Sequence, residues 1–431
     1  MRKNYIFSTL FVLISLFTFA QQEYLNGILV LNEGNMGTDS GAVSFISQDD
    51  QVSNNIFRQA NSNAVLGDVA QSMAFYNDVA IIVLNASNAI KIVDKKTFQL
   101  VENGIISTGL VNPRYASFYN NKAYVTCWGS GGNPDDDYVA VINMDTYQIE
   151  STISFPEGVE KIKTINGKLY IAHQGGYGTG NTISIYNIES ATTHTVTVGD
   201  VPSELIEHEG YLYILCAGLP YWHPSGATVS SIHRIELSND SLAGEFYFPT
   251  GITANHMAYH ENTLYITMGK KIGFLSIEDP NMNDFNFITT PVTDFMGIYG
   301  LDIIDDKIYV ADANGYTASG FAHIYSLEGE LLHTHTVGSI PNHFYKSAEG
   351  EMSVDDRSIA AINIYPNPTA EKFYLNTNDT VQVSIYDMTG KLIKKTINSN
   401  NGILISELQK GIYMVEISKD SQKQTTKLVI Q

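Results

Sequence analysis

The sequence predicts an all-β protein: a seven-bladed β-propeller followed by a small C-terminal β-sandwich domain. Three observations predict it. A turn-plus-strand phrase returns seven times, at spacings of 43 to 52 residues. Each return is flanked by further short apolar strands, enough for a four-stranded unit. After Tyr345 the texture changes, and a polar stretch leads into a second, shorter run of strands. Repeats of ~40–50 residues with several strands each are the sequence mark of propeller blades.

The phrase reads Asn26-Gly-ILVLN, Asn77-Asp-VAIIVLN, Asn120-Asn-KAYVT, Asn166-Gly-KLYIA, Glu209-Gly-YLYIL, Glu261-Asn-TLYIT and Asp305-Asp-KIYVA. Its strands centre on Val30, Ile81, Tyr124, Tyr170, Tyr213, Tyr265 and Tyr309. Two-residue turns of this kind favour positive φ at both central positions and join antiparallel strands. A short strand precedes the turn (from Gln71, Arg114, Lys161, Ser203, Asn255 and Tyr299). A third follows the central one (from Ile90, Val139, Ile183, Ser231, Lys271 and Ala322), and then a fourth, as at Glu150 and Leu331. Blade one lacks its first strand. The segment Pro341 to Tyr345 is expected to supply it and close the ring, leaving no open edge.

The ends divide the chain further. Arg2 and Lys3 precede an apolar run from Tyr5 to Phe19 and then Ala20-Gln21, the pattern of a secretory signal peptide over residues 1–20. No Cys stands at the junction, so a lipoprotein anchor is not expected there. No later run approaches the ~20 apolar residues of a helical membrane span. The propeller is expected over 21–345, a linker over 346–360 and the second domain over 361–431. A formal net charge of −20 opposes phosphate backbones and argues against a nucleic-acid partner. Cys127 and Cys216 fall on non-adjacent blades, too far apart for a disulfide.

Strand order singles out one face. The starts of first strands and the loops between second and third strands open on the same side, and there the loops are long and aromatic. They carry Trp128, Tyr177, Tyr221-Trp222-His223 and Tyr316. Blade starts add a polar ring at the central mouth, including Gln71, Arg114, His256, Tyr299 and His343, with Asp68, Lys161, Lys163, Ser203, Glu204, Asn255 and Asn342 beside them. Large aromatics on loops of a rigid scaffold are ready-made binding groups.

Catalytic motifs do not emerge. There is no Gly-x-Ser-x-Gly and no His-Glu-x-x-His, and the glycines from Gly175 to Gly180 fit no nucleotide-binding pattern. Asp135-Asp136-Asp137 reads as a solvated loop rather than a Ca²⁺ site, and His333 with His335 as an exposed pair on an outer strand. No catalytic residue, metal or cofactor is expected.

Two resemblances add to this. The tail carries Tyr365-Pro366-Asn367-Pro368, Asp387-x-x-Gly390-Lys391, Gly411-Ile412-Tyr413 and a basic-apolar end. It resembles the type A sorting domain of the type IX secretion system of Bacteroidetes, implying export across the outer membrane and a partnership with that machinery. The propeller carries Leu31-Asn32-Glu33-Gly34-Asn35, Leu66 to Met73, Pro113-Arg114-Tyr115, Tyr309 to Ala313 and Val337-Gly338-x-Ile340-Pro341. It resembles the YncE-like surface propellers of Bacteroidetes, some of which capture cobalamin over a TonB-dependent outer-membrane transporter. That likeness implies a non-enzymatic surface protein binding a nutrient of corrinoid type. A glycan- or protein-binding adhesin is the alternative, and a propeller lactonase or lyase a lesser one. The cobalamin-capturing members are usually lipoproteins. The absence of an N-terminal lipoprotein Cys here puts a fixed pairing with a transporter in doubt.

Overall fold

The computed structural model describes residues 23–130, 133–176, 179–279, 283–316, 318–347, 364–375, 381–387, 391–397, 402–406, 408–419 and 422–430. The expected signal peptide over residues 1–20 and nearly all of the expected linker lie outside them. Seven four-stranded antiparallel sheets form the propeller. Blade two illustrates the plan, with Ala70–Tyr76 innermost, then Val79–Leu84, Ala89–Asp94 and Leu100–Ile106. Blades three to seven repeat it, beginning at Pro113, Val159, Pro202, Met257 and Gly300.

The ring closes as expected. Pro341–Ser347 lies innermost in blade one and pairs antiparallel with Gly27–Asn32, Val30 opposite Phe344. The strand runs two residues past the expected boundary, and the Ser347 hydroxyl donates to the carbonyl of Tyr24. One element was not expected: the helix Ile56–Ala60. The outermost strand of blade one is only Val52–Ser53, and the helix completes that blade by burying Ile56 and Phe57.

Two local features explain why this sequence builds blades. Five of the seven turn pairs hold positive φ at both residues, at Asn120/Asn121, Asn166/Gly167, Glu209/Gly210, Glu261/Asn262 and Asp305/Asp306, whereas at Asn26-Gly27 and Asn77-Asp78 only the first residue does. The second strands are apolar on both faces because each is sandwiched between neighbouring blades, and a strand buried on both sides reads as a continuous apolar run. One core fills each junction. Tyr124, Val139 and Val141 meet Leu169 and Ile171 between blades three and four. Tyr170 and Ile183 meet Leu212 and Ile214 between four and five. At the closing seam Tyr309 and Ile324 meet Ile28, Val30 and Phe344. All seven central residues named from the sequence are buried.

The C-terminal domain is a two-sheet β-sandwich. One sheet holds Ile364–Tyr365, Lys372–Leu375 and Ile403–Leu404; the other holds Leu392–Ile397, Gln382–Tyr386, Gly411–Lys419 and Gln422–Ile430. Phe373, Val383, Ile385, Val415, Ile417 and Leu428 fill it. The motif residues have structural work. Asn367 Nδ2 donates to the Lys427 carbonyl at 2.6 Å and its Oδ1 accepts from Val429 N at 2.9 Å, tying the Pro-Asn-Pro segment to the last strand. Lys391 N donates to Asp387 Oδ1 at 3.1 Å across the Asp-x-x-Gly-Lys turn.

Candidate functional site

The channel along the ring axis is a cavity of about 590 Å³ lined by all seven innermost strands. Its mouth is built by one repeated device. A left-handed residue precedes the innermost strand at Val69, Asn112, Gly158, Val201 and Ile340, with φ between 49° and 84°. A register shift then follows in the same strands. Bulges bend a strand and re-aim its side chains. The re-aimed positions are Gln71, Arg114 and Tyr115, Glu160 and Lys161, Ser203, and Asn342. Positive φ at a Val or Ile is strained. Its recurrence at three blade starts makes it an architectural device rather than a mark of one catalytic residue. At Gly158 no side chain fits, because a Cβ there would lie 2.1 Å from the backbone of Gly175.

The re-aimed charges pair with one another. Arg114 donates from Nε and Nη2 to the two carboxylate oxygens of Glu160, at 2.9 and 2.8 Å. Its guanidinium also lies 3.9 Å over the Trp128 ring. Lys161 Nζ stands 3.0 Å from Glu204, and His256 Nδ1 is 3.7 Å from the same carboxylate. Lys161 also lies 4.4 Å over the ring of Tyr115, whose hydroxyl accepts from Gln71 Nε2 at 3.1 Å. His343 stacks edge-on against Tyr115 and stands 3.9 Å from Asp302. Across the mouth, the Tyr299 hydroxyl donates to Glu33 at 2.8 Å, and the Tyr316 ring packs edge-on against Tyr299 at 5.4 Å. The buried Tyr316 hydroxyl has no hydrogen-bond partner among the described residues.

Two half-buried carboxylates, Glu204 and Glu33, are tuned in opposite directions. Burial alone would raise Glu204, but Lys161, and then the nearby His256, hold it well below the ordinary glutamate value of 4.5. Burial raises Glu33, outweighing Tyr299 and Arg114. A depressed carboxylate stabilises the fold above its unfolded pKa, and that stability is lost as pH falls through the folded value. Glu204 therefore contributes fully above about pH 4.5 and progressively less below it. The thermal midpoint of the native chain falls more steeply between pH 5 and 3 than that of Glu204→Gln. At pH 7 the variant is destabilised by about 1–3 kcal/mol, because Lys161 loses its counter-charge inside the channel. Parallel slopes in the two melting series would contradict this.

The aromatic face divides into a wall and a crest. Trp128 and Tyr316 are half-buried and belong to the wall. Tyr221 and Trp222 project into solvent, 88% and 71% exposed. The neighbouring His223 is half-buried, its Nε2 3.5 Å from the Thr179 hydroxyl of the blade-four loop. Tyr177 lies outside the described residues. The Asp run is structural where described: Asp136 accepts from the amide and hydroxyl of Ser130, and buried Asp137 accepts from the amides of Gly158 and Val159. Cys127 and Cys216 are free and buried.

Sequence reasoning missed four residues of this face. Glu160 and Glu33 carry no motif of their own, and only the bulge and the second-strand end bring them to the mouth. Phe295 and Met296, 88% and 54% exposed, add exposed apolar side chains on the loop entering blade seven. That loop belongs to the same class as the loops chosen above, which was the available signal.

The fold and its tail define an exported β-propeller protein. Residues 26–349 match the model described as domain of unknown function (DUF5074), and the chain belongs to that family. Residues 363–431 match the secretion system C-terminal sorting domain, which directs the protein through the type IX secretion machinery to the cell surface or the extracellular space. Three solved structures share the propeller fold. A quinoprotein alcohol dehydrogenase-like protein from Bacteroides thetaiotaomicron is 14% identical with a TM-score of 0.56, covering 75% of this chain and 78% of that one. A hypothetical selenium-binding protein from Sulfolobus tokodaii is 10% identical at 0.57, covering 78% and 97%. A functionally unknown protein from Desulfotomaculum acetoxidans is 11% identical at 0.54, covering 75% and 99%. Among characterised proteins, ulvan lyase NLR42 of Nonlabens ulvanivorans is 27% identical over 85 residues, 18% of this chain and only 16% of the lyase's length.

Proposed function

We propose that this is a non-enzymatic surface protein whose mouth face captures a large, neutral, partly apolar nutrient, with a cobalamin-like corrinoid the leading ligand. The observation that carries the reading is the pairing of exposed aromatics (Tyr221, Trp222, Phe295) with a mouth in which Arg114 is already paired with Glu160 and Lys161 with Glu204. An anionic ligand would have to displace Glu160 from Arg114 or Glu204 from Lys161, at the cost of breaking partly buried ion pairs. A neutral ligand bearing amides can lie across such a mouth and stack on the crest. The likeness to YncE-like propellers supports the same ligand class, with a TonB-dependent transporter as the partner that would take up the captured ligand.

Titration of the full exported chain with cyanocobalamin tests this. Binding is expected at micromolar concentration, weakened about tenfold or more by Trp222→Ala, since aromatic anchors carry ~2 kcal/mol or more at interfaces. The melting temperature of that variant stays unchanged because Trp222 is exposed. No binding at micromolar concentration overturns the corrinoid reading. Two adjacent exposed rings are also suited to stacking on sugar faces, so a glycan adhesin is the second reading, and a glycan array separates the two.

A further inference from the structure

Blades seven and one meet where the ring closes, and three side chains converge on the outer rim of that seam. His333 and His335 stand two positions apart on Leu331–Ser339, hence on one face of the strand. Asp50 faces them from the turn between Ala42–Ser47 and Val52–Ser53 of blade one. Its backbone is left-handed, with φ 58°, and its amide donates to the Ser47 carbonyl at 3.0 Å, so the turn is fixed. His333 Nε2 is 3.5 Å from one Asp50 oxygen, and His335 Nε2 is 3.6 Å from the other. The three donor atoms lie within 4.8 Å of one another, and the imidazoles are nearly parallel at 5.7 Å.

These separations are too long for charge-assisted hydrogen bonds, which close to ~2.7–2.9 Å. They are of the size at which neighbouring donors stand about a metal, about 3.3–3.6 Å for metal–ligand bonds of about 2.0–2.2 Å, with each imidazole facing its own Asp50 oxygen. The expected exposed pair is therefore only half exposed. The His335 side chain is 12% exposed, and its Nε2 makes no hydrogen bond among the described residues. Asp50 and His333, 43% and 41% exposed, leave an approach from solvent.

We propose that Asp50, His333 and His335 bind a divalent transition-metal ion of the zinc or copper class, bridging blades one and seven. Two imidazoles and one carboxylate suit these ions, whereas Ca²⁺ and Mg²⁺ prefer all-oxygen sets. Water completes the fourth position on the solvent side. The ion links residues from opposite ends of the propeller, so its binding free energy adds to ring closure.

The test uses the full exported chain, stripped with a chelator and titrated with Zn²⁺ by calorimetry and with Co²⁺ by visible absorption. One equivalent is expected to bind at micromolar concentration or tighter, with a higher melting temperature and the intense d–d bands of tetrahedral Co²⁺. His333→Asn and Asp50→Asn, both at partly exposed positions, should each weaken binding at least tenfold while leaving the metal-free melting temperature unchanged. His194→Asn, at an exposed position on the outer strand of blade four, should change nothing. No uptake, or uptake that survives both seam variants, overturns the site.

Discussion

Phe344→Ala lowers the unfolding free energy by about 3–5 kcal/mol, the usual cost of emptying a buried aromatic site. Phe344 is 2% exposed and sits opposite Val30 in the closing strand. It packs on Tyr309 with ring centroids 5.4 Å apart and fills the junction core between blades seven and one. Its amide donates to Asp302 at 2.9 Å, fixing the strand against blade seven. Elsewhere a blade is one continuous stretch of chain, but here the pairing joins the two ends of the propeller, so a lost contact is not replaced by local chain connectivity. Guanidinium unfolding followed by far-ultraviolet dichroism measures it. A midpoint close to native would mean that Gly27–Asn32 holds the closing strand by backbone pairing alone.

Arg114→Ala costs about 3–5 kcal/mol, because removing one partner of a buried ion pair leaves the other uncompensated. The Glu160 side chain is 4% exposed and Arg114 12%, and the guanidinium also roofs Trp128. Arg114→Lys restores the charge without the two-pronged fork, so it recovers only part of the loss. Urea denaturation of the three proteins should rank native above Lys above Ala. Full recovery with Lys would show that charge alone matters and that the bidentate geometry contributes nothing.

These two residues differ in how far the sequence disclosed them. The closing strand was legible because blade one visibly lacks its first strand, and Pro341 to Tyr345 is the apolar segment left over at the other end. The blades were legible because turn chemistry and the apolar second strand are local signals. Arg114 was legible as a position at a blade start, but its partner was not. Arg114 and Glu160 are 46 residues apart, and Gln71 and Tyr115 are 44 apart, which is one blade period. Groups that meet across neighbouring innermost strands carry no short-range pattern, and the bulges that turn them together have none either. The division of Trp128 from Trp222 was equally hidden. Both sit on long loops of the same class, yet one lies under a guanidinium and the other stands in water. The burial of His335 depends on a turn nearly the whole propeller away.

The strand that closes the ring also has a mechanical meaning. Pro341 lies at the channel mouth and Ser347 at the opposite face, so the chain leaves the propeller at the far end of its innermost strand and runs on to the sorting domain. A tether fixed beyond Ser347 would transmit load along the axis of that strand, against the antiparallel bonds to Gly27–Asn32. Those bonds lie perpendicular to the pull and would be strained together, as in shear, rather than peeled one at a time. A propeller held by its C-terminal side against flow or a captured particle would thus be gripped in its most force-resistant direction.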